Sequence, residues 1–153
     1  MQNVMRILIL FSIIFYLQCG IFDKKKPAPT AINGVIDLRN WDFKKDGTIP
    51  LDGEWEFYWG ESLTGIKFNE KNGLASEFIP ISVPSSWKGE IWKGKPLPGF
   101  GYATYKLKIL LPKHIPTLTI HNFDLSSSYR FSINGELFHE QGRFSSDPRN
   151  AEP

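Results

Sequence analysis

A single cysteine, Cys19, leaves this 153-residue chain without an internal disulfide framework or a multi-cysteine metal site. Charge of one sign is equally scarce: eighteen basic against sixteen acidic side chains give a formal +2 with no basic stripe, which argues against nucleic acid as a partner. The length has no room for a second domain of ordinary size. His114, His121 and His139 stand apart, with no metal-ligand spacing beside a carboxylate cluster, so no metal or other cofactor is expected. Ser85-Ser86 and Ser126-Ser127-Ser128 lack the flanking glycines of a nucleophile elbow and read as loop serines. No segment carries a convincing helical period.

What the chain has in quantity is aromatic residues, 14% of the total, together with 13 glycines and 11 prolines, a composition that favours short strands and tight turns. In Glu54-Trp55-Glu56-Phe57-Tyr58-Trp59 the alternation places Trp55, Phe57 and Trp59 on one face, with Glu54, Glu56 and Tyr58 on the other. Ile79, Ile81 and Val83 repeat the two-residue spacing, and Pro80 and Pro84 restrict that segment to a short or edge strand. The clearest pattern runs from Ala103 to Leu111, with Ala103, Tyr105, Leu107, Ile109 and Leu111 inward and Thr104, Lys106 and Lys108 toward water. A further strand is expected over 118–123.

Asn134-Gly135, between Tyr129–Ile133 and Glu136–Glu140, marks a hairpin. A type I′ turn puts Phe131 opposite Phe138, whereas a glycine bulge slips the pairing by one, so the inward choice between Leu137 and Phe138 stays open. Residues 60–77 and 86–101 are rich in Gly, Lys and Pro and read as long loops. The expected fold class is all-β, a two-layer β-sandwich.

Ile7 to Leu17 is an apolar run of about 11 residues, preceded by Arg6 and followed by Cys19-Gly20, in the order of a signal peptide. Such a run is shorter than the roughly 20 residues of a spanning helix. A cysteine directly after it resembles a lipobox, with Tyr16 and Gln18 where leucine and a small residue are usual, as in the looser lipoboxes of some bacterial groups. That resemblance implies cleavage after residue 18 and diacylation of Cys19, which anchors stably where one chain does not. An uncleaved signal anchor and secretion with a free thiol are the other readings, and both also place the remainder outside the cytoplasm. The expected organisation is a signal peptide over 1–18, a lipidated cysteine and Lys/Pro/Ala-rich tether over 19–33, a folded domain over 34–147 and a polar tail over 148–153.

Four segments, Leu51-Asp52-Gly53-Glu54-Trp55-Glu56-Phe57, Val83-Pro84-Ser85-Ser86-Trp87, Gly101-Tyr102-Ala103-Thr104-Tyr105-Lys106 and Tyr129-Arg130-Phe131-Ser132-Ile133-Asn134-Gly135, resemble in order the sugar-binding domain of family 2 glycoside hydrolases. Gly34-Val35-Ile36-Asp37-Leu38-Arg39-Asn40-Trp41-Asp42-Phe43 is similar to the N-terminal extracytoplasmic domain of bacterial seven-transmembrane receptors with diverse intracellular signalling modules. The resemblance implies a galactose-binding-like jelly roll. The seven membrane helices, the output domain and the last strands of that jelly roll have no counterpart here, so a truncated receptor, a gene remnant or a small lipoprotein built on the front half of one is expected. In the hydrolases the catalytic acids belong to a separate barrel, so the resemblance implies no catalysis.

A sugar site needs aromatic faces and polar groups on loops at one end of a sandwich. Trp87, Trp92 and Tyr102, with Arg130 and Asn134 as polar partners, are the candidate ligand-binding residues, and Trp92, between Gly89 and Gly94, is the most exposed candidate. Trp87 also reads as a core plug and Asn134 as a turn residue. Glu54 and Glu56 have the spacing any solvated strand face gives. The expected function is a non-catalytic sensor binding a carbohydrate or small metabolite at a membrane surface. The alternatives are a protein-interaction domain with open strand edges and an accessory or remnant domain of a glycoside hydrolase.

Overall fold

A computed structural model describes residues 26–63, 77–121, 127–143, 145 and 150. The expected signal peptide, Cys19 and most of the expected polar tail lie outside the described residues. The architecture is all-β: β1 (Val35–Asp37), β2 (Gly53–Trp59), β3 (Ile79–Val83), β4 (Ile91–Trp92), β5 (Lys95–Pro96), β6 (Ala103–Lys106), β7 (Lys108–Leu110), β8 (Tyr129–Ile133) and β9 (Glu136–Gln141). Among the described residues no helix is long and apolar enough to cross a membrane.

β2 is the centre of the largest sheet, antiparallel to β3 on one side and to β6 on the other. β3 is the outer strand, where Pro80, opposite Glu56, costs no ladder bond because its missing N–H faces away from β2. The alternation from Ala103 to Leu111 is real but spans two strands. At Leu107 the chain leaves β2 and, as β7, pairs parallel with β1, Ile36 facing Ile109.

The switch divides the core. One cluster holds Ala31, Ile36, Leu38 and Trp41, with Trp55, Leu107 and Ile109 packed against it. The other holds Phe57, Ile81 and Leu97, with Trp59, Trp87, Ala103 and Tyr105 around them. The inward face of β2 therefore serves both clusters, Trp55 the first and Phe57 and Trp59 the second, and the β6–β7 segment does the same. Phe57, with no exposed surface, contributes about 1.5–3 kcal/mol by its burial. Leu111, expected inward, is 38% exposed at the end of the run.

The opposite face of β2 is also covered. Tyr58, expected to look outward, is buried and packs its ring on Phe78 at 5.7 Å between centroids. Its hydroxyl donates to Glu56 Oε2 at 2.5 Å, and the same oxygen accepts from Lys106 Nζ at 2.6 Å, directly across the β2–β6 ladder. A polar hydroxyl and two charges thus sit together on a face where alternation alone predicts solvent.

Packing reaches back before Gly34. Ala31 N–H donates to the Asp52 carbonyl and the Ala31 carbonyl accepts from Glu54 N–H, while Asn33-Gly34 makes a tight turn that pairs Ile32 with Val35. Lys26 Nζ is bonded to the Asn40 carbonyl at 2.5 Å and to Asp46 Oδ2 at 3.2 Å, and lies 5.2 Å from the Trp41 ring centroid.

Two further sequence expectations differ from the structure. Within 86–101, Lys93-Gly94 turns β4 onto β5, with φ of +49° and +76°, and the bonds Gly89 N–H to Leu97 O and Leu97 N–H to Glu90 O extend this small hairpin. The described part of the segment expected as a strand over 118–123, residues 118–121, lies in no strand. Alternation identifies a chain that fits a pleated sheet, not whether a neighbour is there to pair with it.

The β8–β9 hairpin has the expected turn, with φ of +53° at Asn134 and +83° at Gly135, as type I′ requires. Ser132 faces Leu137, then a bulge at Phe138 sets Phe131 opposite His139. Phe131 still meets Phe138 edge-on at 5.9 Å. Leu137 and Phe138 are both exposed, at 52% and 71%, and no residue of this hairpin belongs to either core cluster.

Candidate functional site

Trp59 ends β2 and lies stacked along Phe57 at 6.2 Å, with the Trp87 ring edge-on to it at 5.9 Å. Trp87 Nε1 donates to the Pro98 carbonyl at 3.0 Å, which ties the 96–98 segment to the aromatic core. Trp87 is half-buried and packs against the cluster of Phe57, Ile81 and Leu97. Trp92, on β4, is half-buried against the same cluster, less exposed than its position between two glycines led us to expect.

Between these elements is an open groove of about 360 Å³. Its aromatic lining comes from Trp59 and Trp92, and its remaining apolar lining from Pro96, Leu97 and Pro98. Lys93 and Lys95 supply the charge. Lys93 Nζ stands 5.4 Å from the Trp92 ring centroid, a cation–π contact worth about 0.5–1 kcal/mol at an exposed site. It also pairs with Glu77 at 3.2 Å, both side chains being mostly exposed. Lys95 is the cross-strand partner of Trp92. The β4–β5 turn therefore carries two ammonium groups beside an indole.

The other sequence-predicted candidates lie elsewhere. Tyr102 is half-buried, its carbonyl accepting from Gly60 N–H at 2.9 Å, and it is not part of the groove lining. Arg130 and Asn134 are on the β8–β9 hairpin, Asn134 as the turn residue and Arg130 in an ion pair with Glu140 at 3.2 Å across the ladder. The structure thus joins Trp92 and, through Trp59, Trp87 into one region, and leaves Arg130 and Asn134 on a separate element. Trp59 was assigned to the core by alternation alone. Its place as the last residue of β2, directly before Gly60, was the signal that one ring edge reaches the end of the sheet.

A second groove, of about 540 Å³, runs between residues 39–44 and 112–116. Its tryptophan and its arginine are already committed. Trp41 is 4% exposed, donates Nε1–H to the Gly47 carbonyl and carries Lys26 near its ring. Arg39 grips Asp37 with a 2.6 Å bond that holds the Asp37 carboxyl down at about 2. The first groove sets aromatic surface and charge side by side, whereas in the second Trp41 and Arg39 are engaged in the fold itself. Among the described residues no three His, Cys, Asp or Glu side chains come together as a metal site.

Comparison with known proteins adds no relative: no protein-family model matches the chain, and neither a curated protein nor a solved structure does.

Proposed function

We propose that this chain is a non-catalytic ligand-recognition module of the carbohydrate-binding kind, displayed outside the cytoplasm on an acylated Cys19, with its strands forming a two-layer sandwich of the jelly-roll type. The observation that carries the reading is the groove in which Trp59 and Trp92 meet Lys93 and Lys95. Pyranose rings present apolar C–H faces that stack on indoles and hydroxyls that accept from ammonium groups, the combination such pockets use. The four-segment resemblance to sugar-binding domains, reached from other residues, points the same way. A glycan array probed with the full chain tests it: saccharide binding weakened by Lys95→Gln is the expected result, and silence across the array would remove the reading.

A second reading, a protein-interaction domain, draws on the β8–β9 hairpin, which carries Leu137 and Phe138 exposed and outside both cores. It predicts that Leu137→Ser with Phe138→Ser abolishes partner binding while leaving any saccharide affinity intact.

A further inference from the structure

Resting on the carbohydrate reading of the groove, we infer that its ligand is an acidic saccharide, a pyranose bearing a carboxylate or sulfate, and that Lys93 and Lys95 select the acid. The Trp92 indole packs, half-buried, against the second core cluster, and Lys93 Nζ stands 5.4 Å from its centroid. A neutral ring stacking on that indole must push the ammonium aside and gains from it only hydrogen bonds to hydroxyls, not an ion pair. An acidic ring keeps the ammonium near the indole and pairs with it.

Charge complementarity supports the same choice. Among the described residues the groove lining contains two lysines and no carboxylate, its other members being tryptophan, proline and leucine. The acid paired with a groove lysine among the described residues is Glu77, and that bridge is exposed on both sides, at 66% for Lys93 and 73% for Glu77, the class of pair that water and salt weaken most. A ligand acid can therefore take the place of Glu77 at little cost. Lys95 is opposite Trp92 across the β4–β5 ladder, so a second ammonium reaches the same ligand from the other strand of the hairpin. The turn itself holds the two in place: Lys93 occupies the positive-φ position of the hairpin, at +49°, so its side chain leaves the backbone in a direction set by the turn.

An acidic peptide would satisfy the lysines but has no flat apolar face for Trp59 and Trp92. The ring and the acid are both required. Each exposed lysine contributes on the scale of an exposed ion pair, about 1.4- to fivefold in affinity, and that share is lost as salt shortens the Debye length from about 10 Å at 0.1 M to about 3 Å at 1 M.

The test is isothermal titration of the full chain with tetragalacturonate, its fully methyl-esterified form, a hyaluronan tetrasaccharide, cellotetraose and a polyglutamate peptide. The expected result is that the two acidic saccharides bind more tightly than the ester and cellotetraose, that salt removes the difference, and that Lys93→Gln and Lys95→Gln each reduce it with the melting temperature unchanged. Equal binding of the acid and its ester would overturn the inference and leave the carbohydrate reading standing. Polyglutamate binding as tightly as the acidic saccharides would overturn it in favour of a peptide. No binding by any saccharide would overturn both readings.

Discussion

Gly101 and Trp59 compete for one space: a Cβ built on Gly101 would lie 2.7 Å from Cζ2 of the indole and nearer still to Cη2. The backbone there has φ of +152°, outside the range that side chains favour. Trp59 can lie flat across the chain only because residue 101 has no side chain, and that position lets one ring touch Phe57, Trp87 and the groove together.

Gly101→Ala therefore displaces the indole. The expected cost is about 1–3 kcal/mol, the range for inserting a methyl group into a packed site, read as a lower urea midpoint with the denaturant slope unchanged. Ligand affinity should fall with it. A variant as stable as the parent would show that Trp59 does not rest against residue 101.

The Glu56 carboxylate, meeting Tyr58 at 2.5 Å and Lys106 at 2.6 Å, makes stability sensitive to alkali. Burial first, then the hydrogen bond to Glu56, raises the Tyr58 phenol well above its ordinary range. In the unfolded chain the phenol ionises at about 10. Its contribution is therefore complete below that pH and is lost as pH rises from there toward the folded value. Tyr58→Phe should flatten part of this alkaline decline, and Tyr105, also raised by burial, keeps part of it. Lys106→Met leaves the Glu56 carboxylate without its cation, at a cost of about 1.5–3 kcal/mol. Denaturation curves from about pH 7 to about pH 11 check both, and a Tyr58→Phe profile superimposed on the parent's would contradict the assignment.

The β8–β9 hairpin should yield locally. Asn134→Val forces a β-branched residue to φ of +53°, costing roughly 1–2 kcal/mol at that turn. Because the hairpin belongs to neither core cluster, the expected readout is faster hydrogen exchange over 129–141 with protection in β2 unchanged. Loss of protection in both regions would show the two to be one cooperative unit.

Acylation has its own check. Growth with an alkynyl fatty acid should label the parent chain and not Cys19→Ala, and the unlabelled variant should leave the membrane fraction. A labelled Cys19→Ala protein would end the lipid-anchor reading.

How much of this could be read from residues alone depended on what each pattern encodes. Period two located the central strand β2 and the outer strand β3, because side-chain alternation follows directly from the pleat, and the Asn134-Gly135 turn chemistry located the hairpin. It could not show that the strand begun at Ala103 changes partners at Leu107, since Leu107 and Ile109 keep the same alternation in a different sheet. The β4–β5 hairpin escaped because its turn places a lysine, Lys93, at positive φ, where asparagine or glycine is the usual signal. Tyr58 escaped because alternation put it on the face of Glu54 and Glu56, whereas Phe78 covers its ring and Glu56 satisfies its hydroxyl inside the fold. Of the site, Trp92 and Trp87 were visible as aromatics in a Gly-rich stretch. Trp59 was hidden by its own regularity, and the lysines by looking like an ordinary loop.

The most direct measurement is a nitrogen–proton NMR titration of the five tryptophan indoles with tetragalacturonate. The account predicts that the Trp92 and Trp59 indole signals move together and saturably, while Trp41 and Trp55, which pack in the other cluster, stay still. Shifts led by Trp41, or none at all, would contradict it.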